Sequence, residues 1–238
     1  MRSDSDCKNP ELPSVKIIKI LPRMSEDELF AQKKCYLGIS IENPIFEGDS
    51  LKALLNWASE RFEQCLVVVG DDLCRFNQRI VNGLAPDEAL EAAHMQGDAF
   101  IAQAGGFIES ISRGNVKLTR WNEHLQSDAY RQSRAAIDRL FATDAGFKAA
   151  IEKDAVSFAR RQSQRVGKIA VEMDEAIELC CQYLLEEIAV FSALSERKWR
   201  VELYPGSELH ALVDVARGKF ADVPKPLADR INVELKVG

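Results

Sequence analysis

Ser40 stands in Gly38-Ile39-Ser40-Ile41-Glu42-Asn43, directly after the apolar stretch Cys35-Tyr36-Leu37. A small residue, a hydroxyl and then a polar residue three places on suit a chain leaving a buried strand with one side chain turned into a crevice. The carboxyl ends of strands are where open α/β sheets do their chemistry. Ser40 is therefore either an acyl-transfer nucleophile or the cap of the segment that follows. A second signal is Tyr183-Leu-Leu-Glu186-Glu187. On a helix Tyr183 and Glu187 share a face, while Glu186 is turned about 100° from its neighbour, and periodicity does not settle which glutamate is inside. A phenol beside a carboxylate suits an α-ammonium group, the carboxylate balancing its charge and the phenol oxygen accepting another of its protons. The competing reading is a solvated glutamate pair beside a core tyrosine. A third signal is Tyr204-Pro205, a tyrosine at a strand end held by the following proline, placed either for proton transfer or for packing.

Absences narrow the chemistry. The chain has no G-x-x-x-x-G-K-[ST] loop, no G-x-G-x-x-G and no G-x-S-x-G elbow around Ser40, so phosphate-loop, dinucleotide and standard hydrolase sites are unsupported. None of His94, His124 or His210 has a spacing that marks it as a triad base. A serine with no evident histidine needs a substrate that arrives as an activated ester.

These residues need elements to hold them. Val15–Leu21, Lys34–Ser40, Cys65–Gly70, Asn115–Trp121 and Val201–Tyr204 read as strands. Leu51–Phe62 reads as a helix capped by Asp49 or Ser50, with apolar residues at helical spacing. Pro86 and the acids after it open a long helix towards Ser112, loosened at Gly105-Gly106. Further helices are expected over 127–141, 147–165, from Asp174 through Phe191, and 210–217, before a Pro-containing tail. Strand–helix–strand around Ser40 is a βαβ unit with a buried parallel pair. The expected fold is α/β: a single Rossmann-like domain over 15–238 with a mostly parallel sheet flanked by helices, preceded by a loose arm over 1–14.

At 238 residues with 46% apolar and 29% charged, the composition is that of a globular domain with a full core. No apolar run approaches a membrane span, and the polar N-terminal segment lacks an apolar signal core. Six cysteines without C-x-x-C or metal-ligand spacing suit a reducing cytoplasm and leave no case for a metal or another cofactor. The net charge of -6 argues against a generally basic DNA-binding coat. It is unevenly spread: Glu42–Glu109 carries twelve acids and four bases, whereas Arg113–Lys168 carries twelve bases and six acids. The second segment is either a docking face for a polyanion or a solvated helical face.

Taken together, Gly38-Ile39-Ser40-x-x-Asn43, Leu54-Leu55-x-Trp57-Ala58-x-x-Arg61-Phe62-Glu63, Tyr183-x-x-x-Glu187 and Tyr204 resemble the cyclodipeptide synthase family, whose fold is similar to the catalytic domain of class I aminoacyl-tRNA synthetases. The resemblance runs from about Leu37 to Gly206. It implies two aminoacyl-tRNAs as substrates and a ping-pong reaction. Ser40 attacks the first aminoacyl ester; the amine of a second aminoacyl-tRNA attacks that acyl group and gives a dipeptidyl-enzyme; intramolecular attack releases a diketopiperazine. Tyr183 and Glu187 are implied to hold the first amino group and Tyr204 to serve the last proton relay. Gly38, Asn43, Val68, Gly70, Tyr130, Val190 and Glu202 are implied near the amino-acid pockets. Glu202, where relatives are commonly apolar, suggests a polar or cationic side chain in the first pocket, unless it turns to solvent beside Arg200.

Two departures from the family pattern stand out. The long helix from Pro86, strongly basic in part of the family, here has no Lys or Arg before Arg113, which shifts the expected tRNA contacts to Arg160, Arg161 and Arg165. The residues at Asn43 and Pro205 match different branches of the family. The rival readings are a serine esterase or acyltransferase using a distant histidine, and a non-catalytic tRNA-binding module in which Ser40 only caps.

Overall fold

The computed structural model describes residues 12–111 and 114–238. The expected arm lies mostly outside this range, as do Cys7, Ser112 and Arg113; of the arm's last residues, Ser14 exchanges backbone hydrogen bonds with Gly238. In chain order the elements are β1 (Val15–Leu21), α1 (Glu26–Phe30), β2 (Lys34–Ile39), a 3-10 turn (Pro44–Phe46), α2 (Gly48–Arg61), β3 (Gln64–Val69), α3 (Cys74–Asn82) and α4 (Pro86–Ile111). They continue with β4 (Val116–Arg120), α5 (Trp121–Leu125), α6 (Asp128–Thr143), α7 (Ala145–Val166), α8 (Met173–Glu196), β5 (Val201–Tyr204), α9 (His210–Ala216), α10 (Lys225–Ala228) and β6 (Ile231–Val237).

The strands form one six-stranded sheet in the order β1-β6-β5-β2-β3-β4. All neighbours are parallel except β1 against β6. The apolar run Cys65–Val69 is buried throughout because helices cover both faces of the sheet, as a parallel pair requires. One core lies between the sheet and α3, α6, α7 and α8, around Tyr36, Leu66, Val68 and Trp121. The other, around Leu37, Ile39, Val67 and Leu203, is closed by α2 and α4. Most of α8 is buried, and it is the central helix of the first core.

Four expectations change. The Pro-containing tail ends in β6, whose Ile-Asn-Val-Glu-Leu-Lys-Val alternation is that of a strand. The long helix α4 runs unbroken through Gly105 and Gly106. The helix expected over Leu51–Phe62 with Asp49 or Ser50 as its cap starts at Gly48 with Glu47 at the N-cap, which puts both residues inside it. Cys74–Asn82, where no element was expected, is a helix closed by Gly83 at positive φ.

From β2 the chain builds outward to β3 and β4, and later returns to lay β5 and β6 on the other side of β2. The junction of β2 and β5 is therefore the switch point of the sheet, and a crevice opens beyond the carboxyl ends of the strands there. Ser40 is the first residue past β2, at that crevice.

Candidate active site

Side chains at alternate positions share a face of a strand. Tyr36, Gly38 and Ser40 thus follow one another along the α8 side of the sheet, in register with Glu202 on β5 and Val68 on β3. Gly38 carries no side chain, and the space this leaves is part of a cavity of about 180 Å³. Gly70 is the more crowded glycine: its N–H donates to the Ile39 carbonyl at 3.0 Å, and a Cβ there would stand a tight 3.0 Å from the same oxygen. This close approach clears the floor beside Ser40.

Ser40, Tyr183, Glu187 and Tyr204 all line this one cavity, with Gly38, Gly70, Glu202 and Arg161. The Ser40 hydroxyl has no hydrogen-bond partner among the described residues, and the 3-10 turn that follows is capped by Asn43, whose Oδ1 accepts from the Ile45 N–H at 3.2 Å. Capping is therefore not the office of Ser40. Tyr183 is held between Phe76 and Phe158, at ring centroid distances of 6.1 and 5.3 Å, and hydrogen-bonds Glu187. Burial, opposed only in part by Arg230 and the Tyr183 hydroxyl, and reinforced by Glu202 and Glu208, pushes the Glu187 carboxyl up to about 8. Burial, and then the charge of Glu187, push the Tyr204 phenol up to about 12, although Asn43 hydrogen-bonds it. Tyr183 is raised well above the ordinary phenol range for the same two reasons. Both phenols are proton donors near neutral pH.

The two adjacent glutamates separate cleanly. Glu186 is buried away from the cavity, accepting from Trp121 Nε1–H at 3.1 Å and from Arg75 Nη1 at 3.0 Å. Tyr130 lies beside this group, half-buried and raised by burial and by the Glu186 charge, and does not line the cavity. Val68 and Val190 are fully packed core residues behind it. Trp57 belongs to the opposite core, with the Arg61 guanidinium 4.7 Å over its ring.

Glu202 turns inward, only 3% exposed, and not to solvent beside Arg200. Its partner is Arg230, which also donates to Glu208 at 2.7 Å and to the Tyr36 hydroxyl at 3.3 Å and lies 4.8 Å over the Phe191 ring. Arg230 and Asn232 come from the tail and Glu208 from the loop between β5 and α9. Sequence reasoning missed all three, and the alternating pattern of β6 was the signal that could have found the tail residues.

The basic segment is paired internally in part. Arg120 is paired with Asp71 and Asp98, Arg131 with Asp128, Arg134 with Asp138, and Arg165 with Glu42. Arg160 and Arg161 are exposed on α7 without an ion pair among the described residues, and Arg161 stands at the cavity mouth, 5.6 Å over the Phe158 ring. No histidine lines the cavity. His94 bonds Asp72 at 2.9 Å, His210 bonds Asp154 at 2.8 Å, and buried His124 bonds Thr119 at 3.0 Å, its pKa lowered to about 4 by burial. Among the described residues no cluster of His, Cys, Asp and Glu could hold a metal, the cysteines are unpaired and buried, and no helix is long and apolar enough to cross a membrane.

The cyclodipeptide synthase family model matches residues 24–196, nearly three quarters of the sequence. The chain belongs to the cyclodipeptide synthase family. Among solved structures it is similar to a cyclodipeptide synthase from Fluoribacter dumoffii, at 25% identity over 95% of this chain and 99% of that one, with a TM-score of 0.80. The fold is shared with the Mycobacterium tuberculosis protein described as showing that cyclodipeptide synthetases are related to type I tRNA synthetases (16% identity, 97% and 99% coverage, TM-score 0.71). It is also shared with the synthase from Candidatus Glomeribacter gigasporarum, solved bound to Phe-tRNAPhe (18% identity, 86% and 87% coverage, TM-score 0.63). Comparison with curated proteins found no match. The expected fold class and family both hold.

Proposed function

We propose that this chain makes a cyclic dipeptide from two aminoacyl-tRNAs through acyl intermediates on Ser40. The observation that carries this reading is that the unengaged Ser40 hydroxyl shares one small cavity with the Tyr183–Glu187 pair and Tyr204. The absence of a histidine from that cavity favours a substrate that is already an activated ester over the esterase alternative, and the capping by Asn43 weighs against a purely binding role for Ser40. The tRNA-bound relative from Candidatus Glomeribacter gigasporarum supports aminoacyl-tRNA as that ester.

In the first step Ser40 Oγ attacks the aminoacyl carbonyl and the proton goes to the departing tRNA hydroxyl, leaving the amino acid esterified to Ser40. Its amine sits against Glu187 and Tyr183. The Glu187 carboxyl, near 8, is matched to an α-amino group at roughly 7.7–8.0, so the proton passes between them at little cost and the amine is freed to react. Atom balance corrects the order expected from sequence. Attack by the incoming amine on the Ser40 ester would leave the dipeptide on tRNA. A dipeptidyl-enzyme requires instead that the enzyme-bound amine attack the second aminoacyl ester and expel the second tRNA. The new terminal amine then attacks the Ser40 ester, closing the six-membered ring, and Tyr204 relays a proton back to Ser40 Oγ. Each step exchanges one activated acyl bond for another or for an amide, and no ATP enters. Holding amine and carbonyl in one cavity supplies the proximity that ring closure needs.

We assign Gly38, Gly70 and Glu202 to the amino-acid pocket, Asn43 to orientation of Tyr204, and Arg160 and Arg161 to tRNA phosphates at the mouth. Arg165 holds the Ser40 loop through Glu42. Val68, Val190 and Tyr130 shape the pocket from behind. The reading places the enzyme in the cytoplasm, where charged tRNA is available. Incubation with individually charged aminoacyl-tRNAs, followed by mass spectrometry of small products, tests it: a diketopiperazine is expected, and none from any of the charged tRNAs with folded protein would contradict it.

A further inference from the structure

The deep end of the cavity is polar, which is an unusual way to finish a pocket between a sheet and a helix. Its floor is Gly38, Glu202 and Asn232, and Glu208 closes one side. Glu208 is satisfied by Arg230 Nη1 at 2.7 Å and by the Leu209 N–H at 3.0 Å. Glu202 is bound by Arg230 on Oε2, while Oε1 lies 4.0 Å from where a Cβ on Gly38 would stand, on the cavity side. Asn232 is 4% exposed, and its side-chain amide has no hydrogen-bond partner among the described residues. An amide that faces a cavity can pair with a ligand group that fills it. The charges are unbalanced as well: two buried carboxylates face one guanidinium, an arrangement that favours an added donor and disfavours an added acid.

Resting on the reading that Ser40 is acylated with the amine at Glu187, we propose that the first amino acid loaded carries a side chain ending in a nitrogen hydrogen-bond donor. That side chain runs down the cavity from Ser40, past the apolar wall of Leu184 and Phe191, to reach Glu202 Oε1 and Asn232. A cationic end is matched best, because it balances the surplus carboxylate. An aliphatic end offers no donor to the Asn232 amide or to the cavity side of Glu202, and an acidic end meets Glu202 as a like charge. A site built to hydrogen-bond its substrate rejects analogues that lack the partner far more strongly than an apolar pocket rejects a missing methylene.

The test is the mass added to the intact protein after brief mixing with one aminoacyl-tRNA at a time. Nitrogen-ended residues (lysine, arginine, histidine, glutamine, asparagine) are expected to give the adduct at least about tenfold more readily than leucine, valine or phenylalanine. Asn232→Leu, which removes no internal bond, is expected to narrow that ratio by about tenfold while thermal stability holds, because the hydrogen bond it deletes is made only to the substrate. Preferred loading of an aliphatic, acidic or hydroxyl residue overturns the proposal and leaves Ser40 acylation standing. Absence of any adduct removes that acylation, and the proposal with it. An unchanged ratio in Asn232→Leu overturns the assignment of the cavity floor.

Discussion

Glu186 and Glu187 leave α8 about 100° apart and come to opposite uses. Glu186 points into a closed group, where Trp121 and Arg75 satisfy it and nothing is left to bind. Glu187 points into a cavity, with a phenol on one side and surplus negative charge beyond it, and its carboxyl rises to about 8. The same chemical group is locked where its partners are all internal and left open where it faces a cavity. The difference lies in the tertiary surroundings, since the helix is common to both.

That contrast can be broken in several ways. The largest effect is expected from Ser40→Ala, which should lower product formation by more than about 10³-fold with little change in melting temperature. Glu187→Gln should cost on the order of 10²-fold in turnover because the amine loses its proton acceptor. Glu186→Ala should act mainly on stability, by about 2–3 kcal/mol in denaturant unfolding, because it strands a guanidinium and an indole N–H. If the two glutamates swapped these phenotypes, their assignment would be reversed. Proton linkage gives a subtler separation. A carboxyl near 8 in the fold against 4.5 unfolded binds the extra proton in the folded state, so this group's stabilisation falls as pH rises from about 4.5 to about 8 and levels beyond. Urea midpoints between pH 5 and 8 should decline more steeply for the native chain than for Glu187→Gln; parallel curves would mean that Glu187 titrates normally. Smallest is the mouth: Arg161→Ala should raise KM for charged tRNA several-fold and reduce the salt slope by about one, with turnover nearly unchanged.

Much of this was legible in the sequence where a pattern is local. The continuous apolar run ending at Gly70, the helical spacing around Trp57 and the short strand at Tyr204 each specify their own element. Ser40 was readable as a strand-end hydroxyl for the same reason. Which glutamate faces inward was not, because α8 is apolar nearly all round and offers no single face. Arg230 and Asn232 were missed because a proline-broken tail disguised β6, and because a strand added parallel to β5 brings residues 30 positions apart into register with no local trace. Ion pairing within the basic segment was hidden for a related reason: charge counted along the chain does not show that Arg120, Arg134 and Arg165 are matched by acids folded against them.

The central claim is that Ser40 itself carries the amino acid. Rapid quenching after mixing with a labelled aminoacyl-tRNA, then proteolysis and peptide mass mapping, reads this directly. An ester adduct on the peptide containing Ser40, lost in Ser40→Ala, is the predicted result. A diketopiperazine made by Ser40→Ala at the native rate, or an adduct mapped to any other residue, would contradict it.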